Sequence, residues 1–206
     1  MLGAVQSMAY GERMVANREL ARQVRLPKRG LKRSEYDALV ELGLFEDERV
    51  ELLFGEIVPM SPQKPPHRIL SQRVQARLTV ALFGRANVQG HSPIYAAHES
   101  EPEPDVAVYD PADDQHGHPQ NIHLVVEVTQ SSRRRDRIVK RDLYALSGFP
   151  EYWIIDVKKR ELRVMRGPSG DDYGTVTTHQ VGTGAVVALL AFPDVTVALD
   201  DLFQGL

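Results

Sequence analysis

Two carboxylates lie inside short apolar runs. The segment 104–109 reads PDVAVY and carries Asp105; the segment 124–129 reads LVVEVT and carries Glu127. A carboxylate among apolar side chains is costly to bury unless a cation pairs with it, so both positions call for a metal ion or a lysine. Side chains alternate along a strand. Asp105 therefore shares a face with Ala107 and Tyr109, and Glu127 shares one with Val125 and Thr129. If the two runs are neighbouring strands, both carboxylates face one cavity. Two hard oxygen donors with a backbone carbonyl suit Mg²⁺ (or Mn²⁺) that keeps several waters. Such an ion activates water and stabilises a phosphoryl transition state.

A basic helix, expected over residues 134–147, follows the second run and is closed by Gly148. At about 100° per residue Val139, Leu143 and Leu146 make its buried stripe, with Lys140 and Tyr144 at the edge. Lys140 can reach over the sheet towards the carboxylates. Asp136 and Lys140 are also four apart, so a surface ion pair is the plainer reading of that lysine.

The surrounding pattern supplies the frame. A short helix is expected from Ser34 as cap to Gly43, then a hairpin or bent strand over 49–60 turning at Phe54-Gly55, then a helix opened by His67 and running to about Phe83. Leu70, Val74, Leu78 and Leu82 repeat every fourth position on that helix. Strands are expected over 87–97, 103–109, 124–129 and 151–157, with a hairpin into 161–166 and further β segments to the end. The order implies an α/β mixed sheet with helices on its faces. Residues 1–30 read as an extension broken off at Leu26-Pro27, leaving 31–206 as the folded domain.

The 206 residues suffice for a sizeable core, and 42% are hydrophobic. There is no cysteine, which excludes disulfides and thiolate metal sites and fits a cytoplasmic protein. No apolar run is long enough to span a membrane, and the N-terminus lacks the apolar segment of a secretory signal. The net charge of −3 is uneven: residues 1–33 carry +6 and residues 131–144 carry +4. An acidic body with two basic patches suits a local phosphate contact better than a general polycation.

Other polar residues have bland readings. His67 at a helix start could contact phosphate or a metal, but is more often structural. His116 and His118 form an H-x-H without an identifiable third ligand. Glu56 reads as surface, and Tyr152 and Trp153 as core.

The motifs RVELLFGEIVPMSP, EPEPDVAVYD, LVVEVTQSS, DRIVKRDLYALSG and PEYWIID, together with the helix opened by His67, resemble the Uma-two family of the PD-(D/E)xK phosphodiesterase superfamily. The resemblance spans residues 31–166, about two-thirds of the chain. It implies a restriction-endonuclease-like αβββαβ core with an N-terminal helix and hairpin and a C-terminal β extension. It also implies Asp105 and Glu127 as metal-binding catalytic residues and Glu51 as a further member of the acidic cluster. The superfamily lysine belongs two residues after Glu127, where Thr129 stands; the resemblance assigns that role to Lys140 instead.

The resulting expectation is a Mg²⁺-dependent endonuclease acting on nucleic acid, DNA in the first instance. Arg134, Arg137, Arg141 and His67 would contact the phosphate backbone. A homodimer follows if both strands are cut. The alternatives are a non-catalytic member that binds nucleic acid or a protein partner, and a hydrolase of a small phosphorylated substrate.

Overall fold

A computed structural model describes residues 29–115, 117–130 and 134–206, with the side chains of 115 and 134–137 left out. The expected extension lies outside the described residues except for Arg29 and Gly30. Residues Leu31–Leu206 form one compact unit.

Helix α1 spans Arg33–Glu41. Its start is not the Ser34 expected from the sequence: Lys32 is the N-cap, and its N–H donates to Glu35 Oε2 at 2.9 Å. Strands β1 (Val50–Leu53) and β2 (Glu56–Pro59) form a hairpin. Its two turn residues, Phe54 and Gly55, have φ of 52° and 76°, the left-handed pair that a tight two-residue turn requires. Helix α2 spans Pro65–Ala81 and begins with two prolines, whose missing N–H groups cost nothing in a first turn.

Six strands build the main sheet in the order β3 (Asn87–Gln89), β4 (Val106–Tyr109), β5 (Ile122–Thr129), β6 (Glu151–Asp156), β7 (Glu161–Ser169) and β8 (Asp172–Gln180). Only β5 and β6 run parallel, because helix α3 (Arg134–Leu146) carries the chain back between them. The strand expected over 87–97 is shorter, ending at Gln89, since Gly90 to Pro93 leave the ladder. The loop after β4 contains a 3₁₀ turn, Pro111–Gln115. Strands β9 (Val186–Ala188) and β10 (Thr196–Ala198) pair with each other, followed by the short helix α4 (Leu199–Leu202).

Alternation sorts the sheet residues into two cores. Val106, Val108, Leu124, Val126, Val128, Trp153 and Ile155 pack with Leu70, Val74, Leu78 and Leu82 of α2. Ala107, Tyr109, Val125, Tyr152 and Ile154 pack with Leu143 and Tyr144 of α3. The stripe on α3 is rotated from expectation. Tyr144 is wholly buried, whereas Leu146 is 39% exposed.

Candidate active site

Strand β4 leaves the ladder at Val106, which pairs with Val126. Pro104 has no N–H to continue it. The side chain of Asp105 replaces the lost backbone partner: its Oδ2 accepts the Val128 N–H at 2.7 Å. This bond fixes the Asp105 carboxylate beside Glu127 at the open end of β4.

From α3, Lys140 Nζ reaches Glu127 Oε1 at 2.9 Å and Glu51 Oε2 at 3.0 Å. One helical turn later the Tyr144 hydroxyl donates to the same Glu127 Oε1 at 2.8 Å. Glu51, on β1, also accepts the Glu103 N–H at 3.2 Å. Two imidazoles flank Asp105. His67 Nε2 lies 3.1 Å from Oδ2, and His91 Nδ1 lies 3.3 Å from Oδ1. Gln63 Nε2 is 3.0 Å from the same His91 nitrogen.

The charges act on one another. The Glu127 carboxyl is pushed up to about 7, mainly by burial; Lys140 opposes the shift, while Asp105 and Glu51 add to it. Burial works against the Lys140 ammonium, but Glu127 and Glu51 outweigh it and raise its pKa. Burial also raises the Tyr144 phenol well above its ordinary value, which keeps it a donor. Burial pulls His67 down, yet its bond to Asp105 and the nearby carboxylates raise it overall. His91 is lowered, chiefly by burial.

Glu127 and Glu51 thus share one lysine with Asp105 nearby, and the Asp105 and Glu51 charges add to the rise that burial chiefly causes in Glu127. A divalent cation would balance that excess. Among the described residues no three His, Cys, Asp or Glu side chains are gathered around one metal position. Magnesium does not need such a cage, since one or two carboxylates hold it while waters and substrate oxygens complete the shell. The carboxylate oxygens of Asp105 and Glu127 are of the donor type that such an ion would take.

The structure brings Asp105, Glu127, Lys140, Glu51 and His67 together. Arg141 is elsewhere: its guanidinium meets Asp142 at 2.7 Å and Asp172 at 3.4 Å. The side chains of Arg134 and Arg137 lie outside the described residues. So does His116, while His118 Nε2 is 3.3 Å from Glu101 Oε1. Glu56 is exposed on β2. Sequence reasoning missed His91, Gln63 and the role of Tyr144. Only Tyr144 left a signal, through its spacing of one turn from Lys140.

The family model described as "Uma2: Putative restriction endonuclease" matches residues 33–200. The chain belongs to this family. Every residue of the Uma2 cluster, from Glu51 to Tyr144, lies within the matched segment. No curated protein matches the chain. Among solved structures, one described as "a putative nuclease belonging to DUF820 from Anabaena variabilis" aligns with a TM-score of 0.62 and 16% identity, covering 77% of this chain and 91% of that one. At that identity the likeness is one of fold, a mixed sheet flanked by helices. No helix among the described residues of this Uma2 chain is long and apolar enough to cross a membrane.

Proposed function

We propose that this Uma2 chain is a metal-dependent endonuclease that hydrolyses phosphodiester bonds of nucleic acid, DNA in the first instance. The observation that carries the reading is the Lys140 ammonium held between Glu127 and Glu51 beside Asp105, although it comes from a helix and not from the Glu127 strand.

Asp105 and Glu127 would hold Mg²⁺ or Mn²⁺, which supplies a Lewis acid for the phosphoryl oxygens and lowers the pKa of bound water. The chain's own groups do the rest. Val128 N–H and His67 orient Asp105, so the carboxylate is positioned before substrate arrives. Tyr144 and Lys140 both hold Glu127 Oε1, which fixes the direction of its other oxygen. Lys140 keeps its proton and offers positive charge where the phosphoryl group gains negative charge. Tight packing of α3 on the sheet keeps that charge in place, and preorganisation of this kind is worth more in a site shielded from water. Arg134 and Arg137 would steer the backbone at the start of α3. Arg141 would contribute less, being already paired with Asp142 and Asp172. Cutting both strands would call for two copies.

The test is cleavage of plasmid DNA, RNA and a small phosphodiester, with and without Mg²⁺ or Mn²⁺, by wild type and Asp105→Asn. Metal-dependent nicking of plasmid that disappears in the variant is the expected result. Turnover of the small ester alone would replace nuclease with small-substrate hydrolase. No turnover of any of the three would favour a binding role.

A further inference from the structure

Charge is divided unevenly among the elements that frame the site. From Ile57 to His98 the chain holds no Asp or Glu, 42 residues in a protein with 28 acids in 206, yet it carries Lys64, Arg68, Arg73, Arg77 and Arg85. Helix α2 lies within this segment. The stretch 34–48, most of α1 and the turns after it, is the reverse: it holds Glu35, Asp37, Glu41, Glu46, Asp47 and Glu48 and no Lys or Arg. A polyanion is drawn towards α2 and repelled from α1.

The five cations of the acid-free segment fall into two sets. Arg73 Nη1 donates to Leu202 O and Gln204 O at 2.7 Å, Arg77 meets Asp201 at 3.3 Å, and Arg85 meets Asp194 at 2.6 Å. These three tie α2 and the turn after it to the C-terminal part of the chain. Lys64 and Arg68 are exposed and pair with no carboxylate among the described residues; Arg68 Nη1 donates to the neutral Gln72 Oε1 at 3.1 Å. Lys64 is the N-cap of α2, and its C=O accepts the Arg68 N–H at 3.1 Å, so the two side chains leave one face. Like charges so placed repel, and an anion between them relieves the repulsion.

Their neighbours in sequence are anchored in the site. Gln63 Nε2 lies 3.0 Å from His91 Nδ1, and His67 Nε2 lies 3.1 Å from Asp105 Oδ2. The two cations therefore stand at its rim. The backbone there offers little to an anion, because Pro65 and Pro66 have no N–H. Two other arginines are already engaged: Arg49 meets Glu103 at 2.7 Å, and Arg141 meets Asp142 at 2.7 Å.

We propose that Lys64 and Arg68 bind the phosphate backbone of the nucleic acid beside the bond to be cut, while His67, expected from the sequence to make this contact, serves Asp105 instead. The assignment rests on the nuclease reading above and adds the surface on which the strand lies. Contacts to phosphate carry no base information, so binding here should be independent of sequence and weakened by salt.

The experiment uses the full chain and short fluorescent duplexes of DNA and of RNA, each in two unrelated sequences. Anisotropy is followed against NaCl in EDTA, so that binding is read without cleavage. Lys64→Gln and Arg68→Gln should each weaken binding of both sequences alike. Each should also flatten the slope of log affinity against log salt by about one, and the double variant by about two. Arg68→Lys keeps the charge and should keep the slope. Lys32→Gln removes an exposed cation beside the acids of α1 and should leave the slope unchanged. An equal flattening in Lys32→Gln would overturn the proposal and make the effect one of net charge. A loss confined to one of the two sequences would overturn it in favour of base contacts. If wild type binds neither duplex, the nuclease reading fails and this proposal with it. If wild type binds and the double variant keeps its slope, only the assignment of Lys64 and Arg68 falls. Thermal melts of each variant check that the fold is kept.

Discussion

The Lys140 ammonium on α3 and the Glu51 carboxylate on β1 meet at 3.0 Å, and the same nitrogen is shared with Glu127 of β5. One cation thus joins the hairpin, the central strand and the crossover helix. Both carboxylates are largely buried, with side chains 7% and 16% exposed. Removing the lysine would leave two uncompensated charges.

Lys140→Met should therefore cost about 3–5 kcal/mol of stability at neutral pH, as does breaking other buried ion pairs. The sign with pH follows from Glu127. Its folded-state pKa, about 7, lies above the ordinary 4.5, so the protein is stabilised by its protonation below 4.5 and loses that as pH rises through about 7. Without Lys140 to oppose the shift, the loss should deepen. Urea denaturation on both sides of that window should show a larger defect on the alkaline side; an equal defect would mean that Lys140 acts by packing alone.

Tyr144→Phe removes only the hydroxyl from a fully buried ring stacked edge-on against Tyr152. The packing remains, and Glu127 keeps Lys140. The expected cost is about 1–2 kcal/mol of stability. Cleavage should fall by more than this modest destabilisation explains, because Glu127 loses one of the two bonds that orient it. Parallel denaturation and cleavage measurements would show whether the two effects separate.

Asp105→Asn removes one of three crowded carboxylates while keeping an oxygen for the Val128 N–H. The metal-free melting temperature should hold or rise, since less like charge faces Glu127. The wild type should gain about 2.7 kcal/mol at a hundredfold excess of Mg²⁺ over its dissociation constant, and the variant should gain little. Equal gains in both proteins, read from thermal melts, would remove Asp105 from the metal site.

Glu151 is a structural charge. It is wholly buried, and its Oε1 accepts from Trp153 Nε1 at 2.9 Å and from Arg166 at 2.8 and 2.6 Å, while Oε2 accepts the Leu190 N–H at 2.7 Å. Glu151→Gln leaves the Arg166 guanidinium, 33% exposed, without its counter-charge and should cost about 1–3 kcal/mol, with metal affinity unchanged. Urea unfolding together with a Mn²⁺ titration would check both halves.

His118 gives a pH dependence away from the site. Its bond to Glu101 raises its pKa above the ordinary 6.5; burial opposes the shift, and the Glu101 and Asp37 charges add to it. A raised histidine stabilises fully below 6.5 and loses that contribution as pH rises through the folded value. The Asp37 carboxyl, raised by burial and by Glu101, acts in the same direction. His118→Gln should flatten the fall in melting temperature across neutral pH. A slope unchanged from wild type would assign the dependence to other groups.

Much of this arrangement is legible in the sequence because it follows from short periods. The two-residue alternation puts Asp105 and Glu127 on one face of neighbouring strands, and the helical step puts Lys140 at the edge of α3. Family resemblance adds Glu51. The exchange of Tyr144 for Leu146 in the buried stripe is decided by how α3 lies across β7 and β8, which no single helix specifies. His91 and Gln63 are beyond local reading altogether. His91 sits in a left-handed corner set by Pro104 and Gln75, and Gln63 approaches from the loop before α2. Periodicity fixes which face a side chain takes within its own element. Loops from distant parts of the chain have no such period, so only their packing against the sheet decides which of their side chains reach Asp105.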